Sequence, residues 1–241
     1  MRDALEAAGV RVPALLDDAL DLGAALVEDL GDRDLAAELR EAPDDAVRAR
    51  LLDEAEELLP AIRAVAWGAA TRNPRFDAPF FRSELAHTRR WALERDGASP
   101  LPGGRAAEWE ALASALASAA ADPSLGDPVP THRDFHANNL LRAPDGRLAP
   151  IDFQDMRLGP PDYDPVSLRF ERAGFSPDAD ALAYAEAVLL QRTWKVLGTF
   201  EKMLLLGREV YRPHRETALR VLRQHTRRGG PFTPLLSFLP G

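Results

Sequence analysis

The run "HRDFHANN" at residues 132–139 sets two histidines, an arginine, an aspartate and two asparagines side by side, and "IDFQD" follows at 151–155. Such a run could be a solvated turn whose Asp and Asn cap backbone groups. It could also gather cation ligands and a proton acceptor in one cleft. Phosphoryl transfer needs that set: an aspartate to orient the attacking hydroxyl and take its proton, and oxygen ligands to hold a divalent cation against the phosphates. Asp134 lies five residues before Asn139, and Asp152 thirteen after it. Between them "NLLRAPDGRLAPID" reads as two short strands around a Pro-Asp-Gly turn. A hairpin brings its two ends together, so Asn139 and Asp152 can converge on one cation while Asp134 stands at the mouth.

The rest of the chain must hold that loop in place. "DALEAAG" reads as a helical turn closed by Gly9, and "VPALLDDALDLGAALVED" as a hairpin. Asp32 or Asp34 then caps a helix. Val47, Leu51, Leu52, Ala55, Leu58, Leu59, Ile62, Val65 and Ala66 recur at gaps of three and four, which predicts one amphipathic helix from Val47 to Ala66. A loop and a helix carrying Phe80, Phe81, Leu85 and Trp91 follow, then the breaker "ASPLPGG" and an alanine-rich helix over 105–121. Helices are expected over 180–206 and roughly 214–228, with "PFTPLLSFL" as a short docking segment. The fold class is an α-rich α+β body. Trp67, Trp91, Trp109 and Trp194 are expected to pack in it rather than to stack on sugars.

Composition narrows the function. The chain has 241 residues, a formal charge of −8 and an apolar share of 46%. That size and apolar content suit a globular protein with a real core, and the acidic balance argues against a nucleic-acid partner. With no cysteine, thiol catalysis and disulfides are excluded. "MRDALEAAGV" lacks the apolar stretch of a signal peptide, and no apolar run nears the roughly 18 residues that span a bilayer. The expected partner is therefore not a membrane, and the expected location is the cytoplasm. Lysine is nearly absent, with only Lys195 and Lys202 among many arginines.

The order His-x-Asp-x-x-x-x-Asn, with Arg133 in place, matches the catalytic loop of kinases. With "HRDFHANNLL", "IDFQDMRLGPPDYDPVSL" and "LQRTWKVLGTF" together, the chain resembles the aminoglycoside phosphotransferase and choline-kinase-like family, whose fold is protein-kinase-like. Within it, these pieces look most like the bacterial N-acetylmuramate/N-acetylglucosamine anomeric kinases of cell-wall recycling. The resemblance implies ATP and Mg²⁺ as cofactors and a small-molecule hydroxyl acceptor, an amino-sugar. It implies Asp134 as the catalytic base, with Asn139 and Asp152 as metal ligands. It further implies that His132 braces the loop through hydrogen bonds, that Asp155 is a second acidic residue of the site, and that Asp164 supports the catalytic loop from below. Arg133 would ion-pair locally. "LVEDLGD", residues 26–32, resembles the hinge, whose backbone at Glu28, Asp29 and Leu30 would meet adenine.

Such kinases also carry an N-terminal β lobe with a glycine-rich loop and a phosphate-gripping lysine. Here the hinge-like segment comes by residue 32, no lysine precedes it, and the glycines before it are Gly9 and Gly23. The expected domains are therefore a lobe remnant with hinge over 1–30 and a helical C-lobe over 31–241. Val12, Leu15, Leu16 and Leu26 of the remnant hairpin would be exposed and could favour self-association. A catalytically impaired binding protein is the alternative to an active kinase. Aminoglycosides or choline are the alternative acceptors, because an acidic cleft suits cations. A two-metal hydrolase is a third reading of "HRDFH" with "IDFQD".

Overall fold

Helix boundaries follow the capping residues. The computed structural model describes residues 1–68, 73–172, 184–226 and 230–240. Helix α1 (Arg2–Ala7) stops ahead of Gly9, whose φ of +84° only glycine adopts freely. Strands β1 (Leu15–Ala19) and β2 (Ala24–Val27) form the expected antiparallel hairpin. Its Leu15, Leu16, Leu22, Leu26 and Val27 side chains are exposed. Val12, expected among them, is instead buried with Leu5 and Val10, because it lies before the strand, where the chain still runs through the core. Helix α2 (Leu35–Glu41) is capped by Asp34, which accepts from the Ala37 N–H at 2.7 Å.

The single helix expected over Val47–Ala66 is two: α3 (Asp45–Glu56) and α4 (Leu59–Arg63). Pro60 is the cause, since it has no N–H to give and its ring would strike the carbonyl of Glu56, four residues back. The apolar spacing survives the break, and Leu52, Ala55, Leu59, Ile62 and Val65 still share one core with Phe135, Leu140 and Leu148.

Helix α5 (Ala78–Thr88) starts at the Asp77 cap and runs into a π-helical turn over Arg89–Leu93. It packs with α6 (Gly103–Ala120) and the long α8 (Glu186–Leu205), while α7 (Tyr163–Phe170) and α9 (Arg212–Thr226) flank α8. Parts of two expected helices, residues 180–183 and 227–228, lie outside the described residues. Trp109 and Trp194 meet edge-on at 5.2 Å in the second core, and Phe238 of the terminal segment closes on Trp109 at 5.3 Å. Both tryptophans are packing residues. Among the described residues, no helix is long and apolar enough to cross a membrane.

Three two-stranded sheets complete the fold. Strands β4 (Leu140–Arg142) and β5 (Leu148–Pro150) are the hairpin expected around Pro144–Gly146. Strand β3 (Val129–Thr131) pairs with β6 (Arg157–Gly159), a pairing that three-residue strands are too short to announce by periodicity. These two small sheets bracket the polar loop on both sides.

Helices α5 and α8 approach most closely at Gly198, where an added Cβ would lie 2.7 Å from the Thr88 Cα. Thr88 also ties the pair by donating from Oγ1 to the Trp194 carbonyl at 2.8 Å. A methyl group there must push backbone rather than a flexible tip. Gly198→Ala is expected to destabilise the protein by about 1–3 kcal/mol, the usual cost of overpacking, read as a lowered thermal midpoint; an unchanged midpoint would show that the helices part freely.

Candidate active site

The loop between β3 and β4 is anchored from beneath by its backbone. The His132 N–H donates to Asp164 Oδ2 at 2.6 Å and the Arg133 N–H to Oδ1 at 3.0 Å. Arg133 can present its N–H there because it takes a left-handed φ of +78°. Asp164 is buried in the first turn of α7, and that burial pushes its carboxyl up to about 6 against the pull of the two N–H donors. The Asn139 amide Nδ2 then donates to the Asp134 carbonyl at 3.0 Å, closing the loop on itself. Asn138 ties it to the first core by donating to Asp34 Oδ2 at 2.9 Å.

Across the hairpin, the Ile151 N–H donates to the Asn139 carbonyl at 2.9 Å, so Asp152 emerges beside Asn139. Asp152 takes a left-handed φ of +61° and is exposed, with no hydrogen bond or ion pair to any described residue. Asp134, Asn139 and Asp152 line one cavity of about 340 Å³. The Asn139 Oδ1 likewise accepts from no described residue, while its amide nitrogen is turned to the Asp134 carbonyl. One carboxylate and one amide oxygen fit a hard divalent cation that keeps several waters. Among the described residues no three His, Asp or Glu side chains gather as a metal site, so a hydrolase built on a histidine-rich metal pair has no donor set here.

The groups holding Asp134 come from α8. Arg192, whose side chain is 2% exposed, donates from Nη1 and Nη2 to Asp134 Oδ1 at 3.2 and 3.1 Å. It also grips Glu171 Oε2 at 2.6 Å, the Arg133 carbonyl at 2.8 Å and the Ser167 hydroxyl at 3.0 Å. Lys195, one turn on, places Nζ 3.4 Å from the same Asp134 oxygen. Burial works against the charge on Asp134, yet Lys195, Arg192 and Arg133 outweigh it and hold the carboxyl well below its ordinary range. Both cations use Oδ1, which leaves Oδ2 free to receive a hydroxyl. Glu171 follows the same logic: burial opposes its charge, and Arg192 together with His136, Arg172 and Lys195 more than offsets it, bringing it down to about 2.

Other expected residues fall around this centre. Arg133 pairs with Asp155 at 2.8 Å and with the buried Glu84 at 3.4 Å. His132 does not brace the loop through its ring. Neither ring nitrogen makes a hydrogen bond of ordinary geometry; the ring is wholly buried, edge-on to Phe135 at 5.9 Å, and its backbone does the anchoring. Burial pushes its pKa down to about 4, with the nearby Asp134 charge and the Ile151 backbone pulling weakly the other way. His136 is buried too and is brought down to about 3, first by burial. Glu28, Asp29 and Leu30 do not line the cavity. Glu28 is ion-paired to Arg11, Asp29 accepts from the Gly31 N–H at 2.8 Å, and Leu30 packs on Ala143 and Ala149 of the β4–β5 hairpin.

Sequence reasoning missed Glu84, Glu171, Arg192 and Lys195. A signal existed for two of them: Arg192 and Lys195 sit three apart in "QRTWKV", on one face of the helix that holds both of the chain's lysines. Lys195 and Thr199 also line a second cavity of about 400 Å³, with Phe80, Ser83, Glu84, His87 and Arg133.

Known proteins resemble this chain in sequence and in fold. The profile of the phosphotransferase enzyme family matches residues 1–199. The chain is 29% identical to an N-acetylmuramate/N-acetylglucosamine kinase of Neisseria meningitidis serogroup B, over 95% of this chain and 75% of that relative. It is 34% identical to a kinase of the same name from Caulobacter vibrioides, where the match spans 73% of this chain but only 50% of the relative. In fold it is similar to the choline kinase of Streptococcus pneumoniae, with a TM-score of 0.58 at 16% identity, over 92% of this chain and 78% of that one.

Two outcomes follow from the buried charges. Arg192→Met leaves Glu171 buried with less compensation, so a loss of about 3–5 kcal/mol is expected in chemical unfolding. Arg192→Met with Glu171→Met should cost less than Arg192→Met alone; equal or larger loss would refute the pairing. His132 has a folded pKa below its ordinary value of about 6.5, so the stability of its neutral form is full above that pH and drains as pH falls towards 4, on the order of 3 kcal/mol in all. His132→Phe, which cannot titrate, should show a shallower fall in unfolding midpoint between pH 7 and 5. A parallel fall in both proteins would discount His132.

Proposed function

The chain belongs to the phosphotransferase enzyme family, and from that premise we propose that it is a small-molecule kinase that transfers the γ-phosphoryl group of ATP to a hydroxyl of an amino-sugar. The single observation that carries this reading is the shared cavity of Asp134, Asn139 and Asp152. Asp134 orients the acceptor hydroxyl through its free Oδ2 and takes its proton, while Asn139 and Asp152 hold Mg²⁺. The metal, when bound, neutralises charge on the phosphates. In this reading residues 1–30 carry the hairpin and the hinge, and 31–241 form the helical lobe. The hinge backbone at Glu28–Leu30 is the proposed adenine contact; Leu30 on the metal-binding hairpin supports that placement.

The neighbouring cavity bears on the acceptor. Its walls carry Arg133 and Lys195 as cations, while the carboxylate of Glu84 is engaged by Gln191 at 2.9 Å and by Arg133. His87 is pushed down, first by burial and then by Lys202 and Lys195, and so faces the cavity uncharged near neutrality. Such a wall repels a cationic aminoglycoside or choline and accommodates a neutral or acidic sugar. Ser83 and Thr199 offer hydroxyls and Phe80 a flat ring. The names of the two bacterial relatives support N-acetylmuramate or N-acetylglucosamine as the acceptor; reaction at the anomeric hydroxyl, in cell-wall recycling in the cytoplasm, is the finer part of the proposal.

A coupled assay of ATP consumption against N-acetylmuramate, N-acetylglucosamine, kanamycin and choline tests the proposal. Turnover is expected with the amino-sugars and not with the cations. Asp134→Asn should lower kcat by at least about 100-fold, in keeping with loss of a general base, while the protein stays folded by thermal unfolding. Undiminished turnover in that variant would sink the assignment of Asp134, and preference for kanamycin or choline would sink the acceptor.

A further inference from the structure

Lys195 occupies an unusual position. Its side chain is 15% exposed, and its ammonium, with three N–H donors, has Asp134 as its one hydrogen-bond partner among the described residues. Arg192 already holds the same Asp134 oxygen and is nearly sealed from solvent. Lys195 is thus redundant as a mere anchor for the loop. It lines both the cavity of Asn139 and Asp152 and the cavity of Phe80, Ser83 and His87, and with Thr199 it stands where the two meet.

We propose that Lys195 is a further catalytic residue, which donates its unpaired N–H groups to the equatorial oxygens of the phosphoryl group in transit. The inference rests on the phosphotransferase reading above and adds to it a residue outside the polar loop. In the step, the acceptor oxygen forms a bond to the terminal phosphorus as the bond from that phosphorus to the bridging oxygen breaks. The bridging electron pair leaves with the nucleoside diphosphate, and the hydroxyl proton goes to Asp134 Oδ2. Lys195 stays protonated throughout. Its charge matters most when the phosphoryl group is bound to neither oxygen, the condition under which a fixed donor accelerates rather than merely binds. Arg192 cannot replace it, since its guanidinium is committed to Glu171, Ser167 and the Arg133 carbonyl.

The test uses the full chain with Lys195→Met and Lys195→Arg, each checked for folding by thermal unfolding. Turnover of N-acetylglucosamine is measured with ATP and with its γ-thio analogue, and binding of inorganic tripolyphosphate with Mg²⁺ is measured by calorimetry. Lys195→Met is expected to lower kcat by about 100-fold or more, to change the sugar KM little, to shrink the ratio of ATP to thio-analogue rates, and to weaken tripolyphosphate about 10-fold. Lys195→Arg should recover part of each. A merely structural lysine would leave the thio ratio and the tripolyphosphate affinity at wild-type values, and that result overturns the proposal even if kcat falls. A wild-type chain that neither turns over nor binds Mg²⁺-tripolyphosphate removes the phosphotransferase reading, and the role of Lys195 with it.

Discussion

A single buried guanidinium organises this protein. Arg192 meets Asp134 on the polar loop, Glu171 after α7, Ser167 within α7, and the backbone of Arg133. An unpaired charge at that depth would cost several kcal/mol. The helix, the loop and the end of α7 can therefore coexist only in the arrangement that brings two carboxylates to one arginine. The arginine also settles the chemistry of Asp134: one of its oxygens is saturated by cations from α8 and the other is left open. A carboxylate held so firmly ionised is suited to orienting a hydroxyl, with the proton moving late, once charge has developed on the attacking oxygen.

Around that centre the local backbone is bent into shapes that ordinary residues avoid. Arg133 and Asp152 both take positive φ, Arg133 at the start of the loop and Asp152 at the far end of the hairpin. Each such residue costs on the order of 1 kcal/mol or more. Buried Asp164 offsets the first by accepting both adjacent N–H groups. At the second, the turn puts the Asp152 side chain into the cavity beside Asn139 rather than back along the strand. Small sheets suffice for this work, because each needs only to close one loop. The helices supply the mass and the rigidity, with Gly198 letting α8 lie close against α5.

The chain is similar to a choline kinase in fold and to amino-sugar kinases in sequence. In the proposed reading, the hairpin of Asn139 and Asp152 and the carboxylate of Asp134 would serve any hydroxyl acceptor. The second cavity is lined by Phe80, Glu84 and His87 from α5 and Lys195 from α8, and under the proposed reading exchanging these would retune specificity without touching the loop.

By itself, the sequence determined the line of Asp134, Asn139 and Asp152. Those residues lie within nineteen positions of one another on a loop and a hairpin, and local turn chemistry alone brings them together. It also narrowed the first helix cap to Asp32 or Asp34, of which Asp34 is the one used, and it gave the burial of Trp109 and Trp194, each a matter of nearest neighbours or of apolar area. It misjudged the stretch from Val47 to Ala66 because periodicity does not register what Pro60 does to the backbone, and it did not tell that His132 anchors the loop through its backbone N–H on Asp164 rather than through its ring. Only the tertiary structure decided that Arg192 and Lys195 meet Asp134, 58 and 61 positions away, and that Glu84 meets Gln191 107 positions away. No local pattern carries such pairings, since they follow from which helix faces the packed core turns inward.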